Sequence, residues 1–364
     1  MHIGIPKEIK AHEYRVGATP ESVHEWVQQG HRVCVEQGAG AGIGLSDAAY
    51  QAAGAEVLGS AQEVFASAEL IVKVKEPQPH ECRWLRPGQT LFTYLHLAAD
   101  PVQARLLMAS GATAIAYETV TSPSGGLPLL APMSEVAGRM AIQAGAHCLE
   151  KPQGGAGVLL GGVPGVAPAQ VVVLGAGVVG TQACAMAVGL GAQVTVLDLD
   201  VPRLRQLDAR FGNRIRTLHA NQRQIEAQVL AADLVIGAVL VPGAATPRLV
   251  PRDWLARMRP GAVLVDVSID QGGCFATSRA TTHADPTFTL DGIVHYCVAN
   301  MPGAVPRTST YALNHATLPF VQALASKGVR QALADDPHLA QGLNITEGRI
   351  VHPAVAQALQ ASAA

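Results

Sequence analysis

Short runs of aliphatic and β-branched residues recur along the chain, spaced by stretches whose apolar positions return every three or four residues. In the first third the runs are HIGIPKE, HRVCVEQ, LIVKVKEP, TLFTYLHL and ATAIAYE. Between them lie helical patterns such as TPESVHEWVQQG, with a start at Thr19-Pro20 and a glycine stop at Gly30, and DPVQARLLMASG. This alternation predicts βαβ units and a mostly parallel sheet. PLLAPMSEVAGRMAIQAGAHCLEKP then predicts one long helix, with Ser134 as N-cap and Pro152 as its stop. Residues 168–300 alternate again, through AQVVVLG, AQVTVLDLD, ADLVIGAVL, GAVLVDVSID and GIVHYCVAN. The remaining residues read as helical from VPRTSTYALNHATLPFVQALASKG onward, with a kink at Pro319. The expected fold is α/β, with two doubly wound, Rossmann-like parallel-sheet domains. Residues 134–303 form the inserted domain. Residues 1–133 and 304–364 form the discontinuous one, and helices near 134–150 and 308–327 join the two.

The run LIVKVKEP poses a chemical question. Strict alternation along one strand puts Val72 and Val74 on one face and Ile71, Lys73 and Lys75 on the other. Lysine is rarely buried without a partner, so these residues face solvent at a sheet edge, or an anionic ligand. Parallel sheets present ligand contacts at the carboxyl ends of their strands. Lys75 holds that place in its strand, and His96 holds it in TLFTYLHLA, with Phe92 and Tyr94 on its face. Arg15 follows the first strand. These three can converge on one rim and face the other domain across a cleft. Arg15 and Lys75 suit a small carboxylate, and His96 suits proton transfer near neutral pH. Lys73 reads as structural, and Glu76 as the partner of a neighbouring cation.

The most specific motif is VVVLGAGVVGTQACAMAVGLGAQVTVLDLD. Gly175, Gly177 and Gly180 match GxGxxG between a strand and a helix, and the next strand ends at Asp198. Gly175 permits the tight turn, Gly177 the approach of a pyrophosphate, and Gly180 close helix packing. Asp198 is placed to bind ribose hydroxyls. With Asp200 it repels a 2′-phosphate, which favours NAD over NADP, although Arg203 could offset that. Later strand ends nominate Val239 and Leu240, Ser268 to Asp270, and Val298 to Met301. Asp270 ends a wholly apolar strand and falls at the nicotinamide end.

Composition narrows the alternatives. The chain has 364 residues, enough for two cores, and a formal charge of −2, which argues against nucleic acid or an acidic membrane surface as partner. No formally charged residue lies between Lys151 and Asp198, but glycine and proline interrupt that stretch, unlike a membrane span. Six scattered cysteines without a CxxC pair, and a start MHIGIPKEIK without an apolar core, point to reduced thiols in the cytoplasm. No HExxH, cysteine pair or carboxylate cluster suggests a metal.

Several stretches together carry a resemblance: PKEIKAHEYRVGATP, IVKVKEP, LFTYLHLA, AYETV, PMSEVAGRMA, VVGTQA, ADLVIGAVLVPGA, VDVSIDQGGC and HYCVANMPGAVPRTSTYAL. On these the chain resembles the alanine dehydrogenase/pyridine nucleotide transhydrogenase superfamily over nearly its whole length. The resemblance implies reversible oxidative deamination of L-alanine to pyruvate and ammonium with NAD, in a homohexamer. It implies His96 and Asp270 as catalytic residues, and Arg15 and Lys75 as substrate ligands, with Tyr94, Met133 and Asn300 beside them. It implies cofactor contacts from Ser134, the glycine loop with Val178 and Val179, Asp198, Arg203, Val267, Ser268, Ile269, Arg279, Val298, Asn300 and Met301. Ala220 stands where the family often has serine, so adenosine affinity is expected to differ. Rival expectations are a related small amino-acid or imine dehydrogenase, a transhydrogenase component and a silent NAD-binding protein.

Overall fold

The aliphatic runs of the first third pair side by side. A computed structural model describes residues 1–239 and 246–363, and these separate into two compact units, Met1–Met133 with Gly303–Ala364, and Ser134–Pro302. In the first unit, β1 (His2–Ile5), β2 (Arg32–Glu36), β3 (Glu56–Leu58), β4 (Leu70–Val72), β5 (Thr90–Thr93) and β6 (Thr113–Ala116) are all parallel. Their order is β3-β2-β1-β4-β5-β6. The winding reverses between β1 and β4, which opens a crevice beyond their carboxyl ends. Helices such as Pro20–Gln28, started by proline and followed by Gly30 at φ +85°, cover the sheet.

The chain's end is not all helix. Leu343–Thr346 and Arg349–Ile350 form an antiparallel hairpin that extends this sheet beyond β6. Its turn residues Glu347 and Gly348 both have positive φ, the geometry of a tight hairpin, which the flanking helical pattern concealed.

In the second unit, β7 (Gln170–Leu174), β8 (Gln193–Asp198), β9 (Ile215–His219), β10 (Leu234–Gly237), β11 (Val263–Asp266), β12 (Thr287–Leu290) and β13 (Ile293–Tyr296) lie in the order β12-β13-β11-β10-β7-β8-β9. Only the edge strand β12 is antiparallel among them. The winding reverses between β7 and β10. Alternate residues of β7 feed two separate cores: Val171 and Val173 pack with Ala183 and Ala187, Val172 and Leu174 with Ile225 and Trp254. Burial on both faces explains the unbroken apolar runs.

Several strands are shorter than the sequence pattern. β4 stops at Val72, β5 at Thr93 and β11 at Asp266. The long helix is Ala131–Cys148, so Ser134 lies inside its first turn and is not the N-cap. Pro132, which lacks an N–H, fits that turn without loss. The helix Pro306–Lys327 runs through Pro319. All six cysteines are buried and unpaired. Among the described residues, no helix is long and apolar enough to cross a membrane, and no cluster of histidine, cysteine and acidic side chains could hold a metal.

Candidate active site

At the first unit's crevice the two lysines of LIVKVKEP part company. Because β4 ends at Val72, Lys73 and Lys75 do not share a strand face. Lys73 is fully buried and bridges two acids, Glu81 at 3.0 Å and Glu8 at 3.4 Å. Burial alone would lower its pKa, but the two carboxylates overcome that and raise it, so the ammonium stays charged. Glu8, which follows β1, accepts hydrogen bonds from the N–H groups of Val74 (2.7 Å) and Lys75 (3.3 Å). Thr93 Oγ1 donates to the Lys75 carbonyl at 3.0 Å. The backbone of Lys75 is thus held on both sides, while its half-buried ammonium makes no hydrogen bond or ion pair with described residues. Glu76 pairs with Lys10, which with the Lys75 charge outweighs burial and lowers its pKa.

Arg15 is more committed than the sequence suggests. It is 2% exposed and its fork engages Glu13, Nε to Oε1 at 2.7 Å and Nη2 to Oε2 at 2.6 Å. Nη1 lies 3.0 Å from the sulfur of Met133. The Nε/Nη2 edge of the guanidinium is occupied by a side chain two residues away. Arg15 is thus buried and charge-paired with Glu13, whereas Lys75 makes no ion pair among the described residues.

His96 does not end a strand. It lies beyond β5 with φ +50° and ψ +38°, a left-handed conformation unusual for a residue with a Cβ, and its side chain is exposed. The ring stacks on Tyr94, centroids 5.9 Å apart and planes 8° off parallel. Tyr94 in turn meets Tyr117 edge-on, and its hydroxyl donates to the Leu129 carbonyl. Burial raises the Tyr94 pKa, so it stays a neutral donor.

The second unit's glycine loop fits a dinucleotide. Gly175 has φ +109°, and a Cβ there would meet the Ala238 carbonyl at 2.6 Å. A Cβ on Gly180 would lie 1.8 Å from the Gly175 oxygen. A Cβ on Gly177 would meet nothing within 4 Å, because it would point into open space at the start of the helix Val178–Gly189. That space is the cradle a pyrophosphate needs. Asp198, at the end of β8, accepts from the N–H groups of Ala176 (2.5 Å) and Asp200 (2.8 Å). Arg203 is exposed and pairs with Asp200, whose carboxylate also caps its helix. Ala220 donates its N–H to the Asp198 carbonyl.

Asp270 is exposed on a one-turn helix, Ile269–Gln271, beyond the end of β11. The strand ends instead at Asp266, fully buried, whose carboxylate accepts from the N–H groups of Ser268 (3.1 Å) and Cys274 (2.8 Å) and the Ser278 hydroxyl (2.5 Å). One side chain therefore ties the loop that displays Asp270. Ser268 donates to the Val239 carbonyl at 2.6 Å, joining the ends of β10 and β11, and Val267 donates its N–H to Gly237. Ile269, Val298 and Met301 are buried. Asn300 has φ +60°, and its carbonyl lies 3.0 Å from His283 Nε2. Arg279 is exposed with its guanidinium over the Phe288 ring. Leu240 lies outside the described residues.

Glu8, Glu13, Glu81, Glu118 and Asp266 escaped the sequence reading. A lysine in a buried strand implies a nearby acid, and an acid inside the apolar run AVLVDVSI implies a structural one. Both were visible signals.

Two reversed-winding sheets, one bearing a dinucleotide cradle and the other a crevice with a lysine and a histidine, define a dinucleotide-binding oxidoreductase of small molecules. Residues 4–137 match the family "Alanine dehydrogenase/PNT, N-terminal domain", and residues 141–353 match "Alanine dehydrogenase/PNT, C-terminal domain". An alanine dehydrogenase from Halomonas elongata is 62% identical over 98% of this chain and 96% of its own. One from Bacillus subtilis is 55% identical over 99% and 95%. A solved L-alanine dehydrogenase superposes with a TM-score of 0.95 at 54% identity, covering 99% of each chain. The chain belongs to the alanine dehydrogenase/PNT family.

Proposed function

We propose that the chain catalyses the reversible, NAD-dependent oxidative deamination of L-alanine to pyruvate and ammonium. The observation that carries this reading is Lys75, an ammonium without an ion-pair partner among the described residues, its backbone pinned at the first crevice, with His96 beyond the next strand. Arg15 and Lys75 bind the substrate carboxylate, the lysine as a point charge, with Tyr94 and Met133 beside them. His96 moves the proton between the amino group and the water that adds to the imine. Asp270 has the charge to favour a developing iminium. Gly175, Gly177 and Gly180, with Ser134, Val178 and Val179, hold the cofactor, joined by Val239, Leu240, Val267, Ser268, Ile269, Arg279, Val298, Asn300 and Met301. When bound, NAD accepts the hydride from the alanine Cα.

Asp198 and Asp200 support NAD over NADP, because both carboxylates sit where a 2′-phosphate would add like charge, and Arg203 is already paired. Homohexameric assembly and a cytoplasmic location belong to the same reading on family grounds. The test mixes protein, pyruvate, ammonium and NADH, with NADPH and glyoxylate in parallel, and follows NADH absorbance. Loss of NADH that requires both pyruvate and ammonium is the expected outcome. Faster turnover of glyoxylate would reassign the substrate to another small imine, and binding of NADH without turnover would leave only the cofactor half of the proposal.

A further inference from the structure

The conformation of His96 has a cause within the fold. Its left-handed backbone carries a Cβ penalty that only the surroundings can sustain. Those surroundings include the Ala99 N–H, which donates to the His96 carbonyl at 3.0 Å, and one carboxylate on a neighbouring turn. Glu118 lies on the turn Tyr117–Thr119 that follows β6, the strand next to β5. It accepts the N–H of His96 at 2.6 Å and that of Leu95 at 3.2 Å. Two consecutive amides thus converge on one anion, the arrangement that backbone nests offer to bound anions, filled here by a side chain. Bonds from N–H groups to an ionised carboxylate are among the strong ones, and together they anchor the two peptide units flanking Leu95, from which His96 projects. Tyr117, the neighbour of Glu118, packs edge-on against Phe92 and Tyr94, and Tyr94 stacks on the imidazole. Backbone and ring of His96 are therefore aimed from the same short turn, the AYETV segment, to which the proposed chemistry assigns no role.

We propose that Glu118 is the positioning residue of His96, holding the histidine backbone in its left-handed conformation so that the imidazole meets the substrate. Glu118 acts through the histidine and touches neither substrate nor cofactor. The inference rests on His96 being the proton shuttle.

A double-mutant cycle tests it on the full-length enzyme, with Glu118→Ala, His96→Ala and the pair assayed for alanine oxidation and titrated with NADH. Glu118→Ala should lower kcat by about 100-fold, the scale of a misplaced catalytic group, with NADH affinity within about twofold of the parent. In the His96→Ala background the same change should lower the residual rate by less than about threefold, because there is no imidazole left to aim. Glu118→Gln keeps one acceptor oxygen and should fall between the parent and Glu118→Ala, and it serves in the cycle if the alanine variant does not fold. Equal losses in both backgrounds would overturn the proposal while leaving His96 as the shuttle. Undiminished turnover by His96→Ala alone would overturn the reading of His96, and this proposal with it.

Discussion

Substituting the two lysines of one short segment should move different observables. Lys75→Ala removes a charge that makes no ion pair among the described residues, so KM for alanine and pyruvate should rise. A hydrogen bond to a charged group contributes ~1.5–3 kcal/mol, which is roughly 10- to 100-fold. NADH affinity and thermal stability should stay near the parent's. Lys73→Met leaves Glu8 and Glu81 buried around a missing cation, and breaking such a pair costs about 3–5 kcal/mol. That change should lower the unfolding midpoint, and it should affect KM only through the segment that Glu8 holds. Steady-state kinetics beside thermal melts separate the two. A Lys75→Ala enzyme with unchanged KM would remove the carboxylate role from that residue. The sequence places Lys75 and His96 at strand ends and reads Lys73 as structural, which its burial between Glu8 and Glu81 bears out, but it does not reveal that the lysines lie beyond the strand. That depends on β4 stopping at Val72, and no local signal in IVKVKEP marks the stop.

Among elements, the strand–turn–helix of the second unit makes the sharpest demand on residue type, and its three glycines are not equivalent. Gly180→Ala drives a methyl into the Gly175 carbonyl, so the turn and helix must separate and stability should fall by several kcal/mol. Gly177→Ala meets no protein atom, so its melting temperature should hold while NADH affinity drops at least about tenfold, because the methyl takes the space of the pyrophosphate. Thermal melts and fluorescence titration with NADH check both. This element was the most legible in the sequence, since a motif, two strands and a helix agree on it. The antiparallel additions were not. Thr287–Leu290 pairs with the adjacent β13 through a tight Asp291-Gly292 turn, Leu343–Thr346 pairs locally with Arg349–Ile350 and at long range with β6, and this last hairpin lies between helical patterns. Site residues on loops were read one to four positions too early in their strands' extension. His96 and Asp270 are displayed by turns that Glu118 and Asp266 hold, the first from a segment 22 residues away and the second from within its own loop, and side-chain contacts to backbone leave no periodicity.

For the whole molecule, acid sensitivity follows from a buried histidine. His295 on β13 is fully buried, takes a hydrogen bond from Thr277 at Nε2 and faces the Ile293 carbonyl with Nδ1, and burial lowers its pKa from 6.5. Unfolding releases a ring that binds a proton more readily. Its stabilising contribution is therefore full above about 6.5 and is lost as pH falls through the lower folded-state value. His2, His31 and His352 are shifted the same way. The unfolding midpoint should fall as pH drops from neutral to about 5, and His295→Gln should flatten part of that slope. An unchanged slope would assign the sensitivity to the other three. The six buried thiols have a different use. Burial raises the pKa of every one, with Cys148 at about 11 and Cys82, Cys184, Cys274 and Cys297 at about 12. A thiol reagent added to the native enzyme should find almost nothing to modify, so its uptake becomes a clock for opening. Cys34 and Cys82 report the first unit and the other four report the second. The mass spectrum of a partly labelled sample would therefore reveal, without any engineered probe, whether the chain comes apart in steps of two and four or all at once.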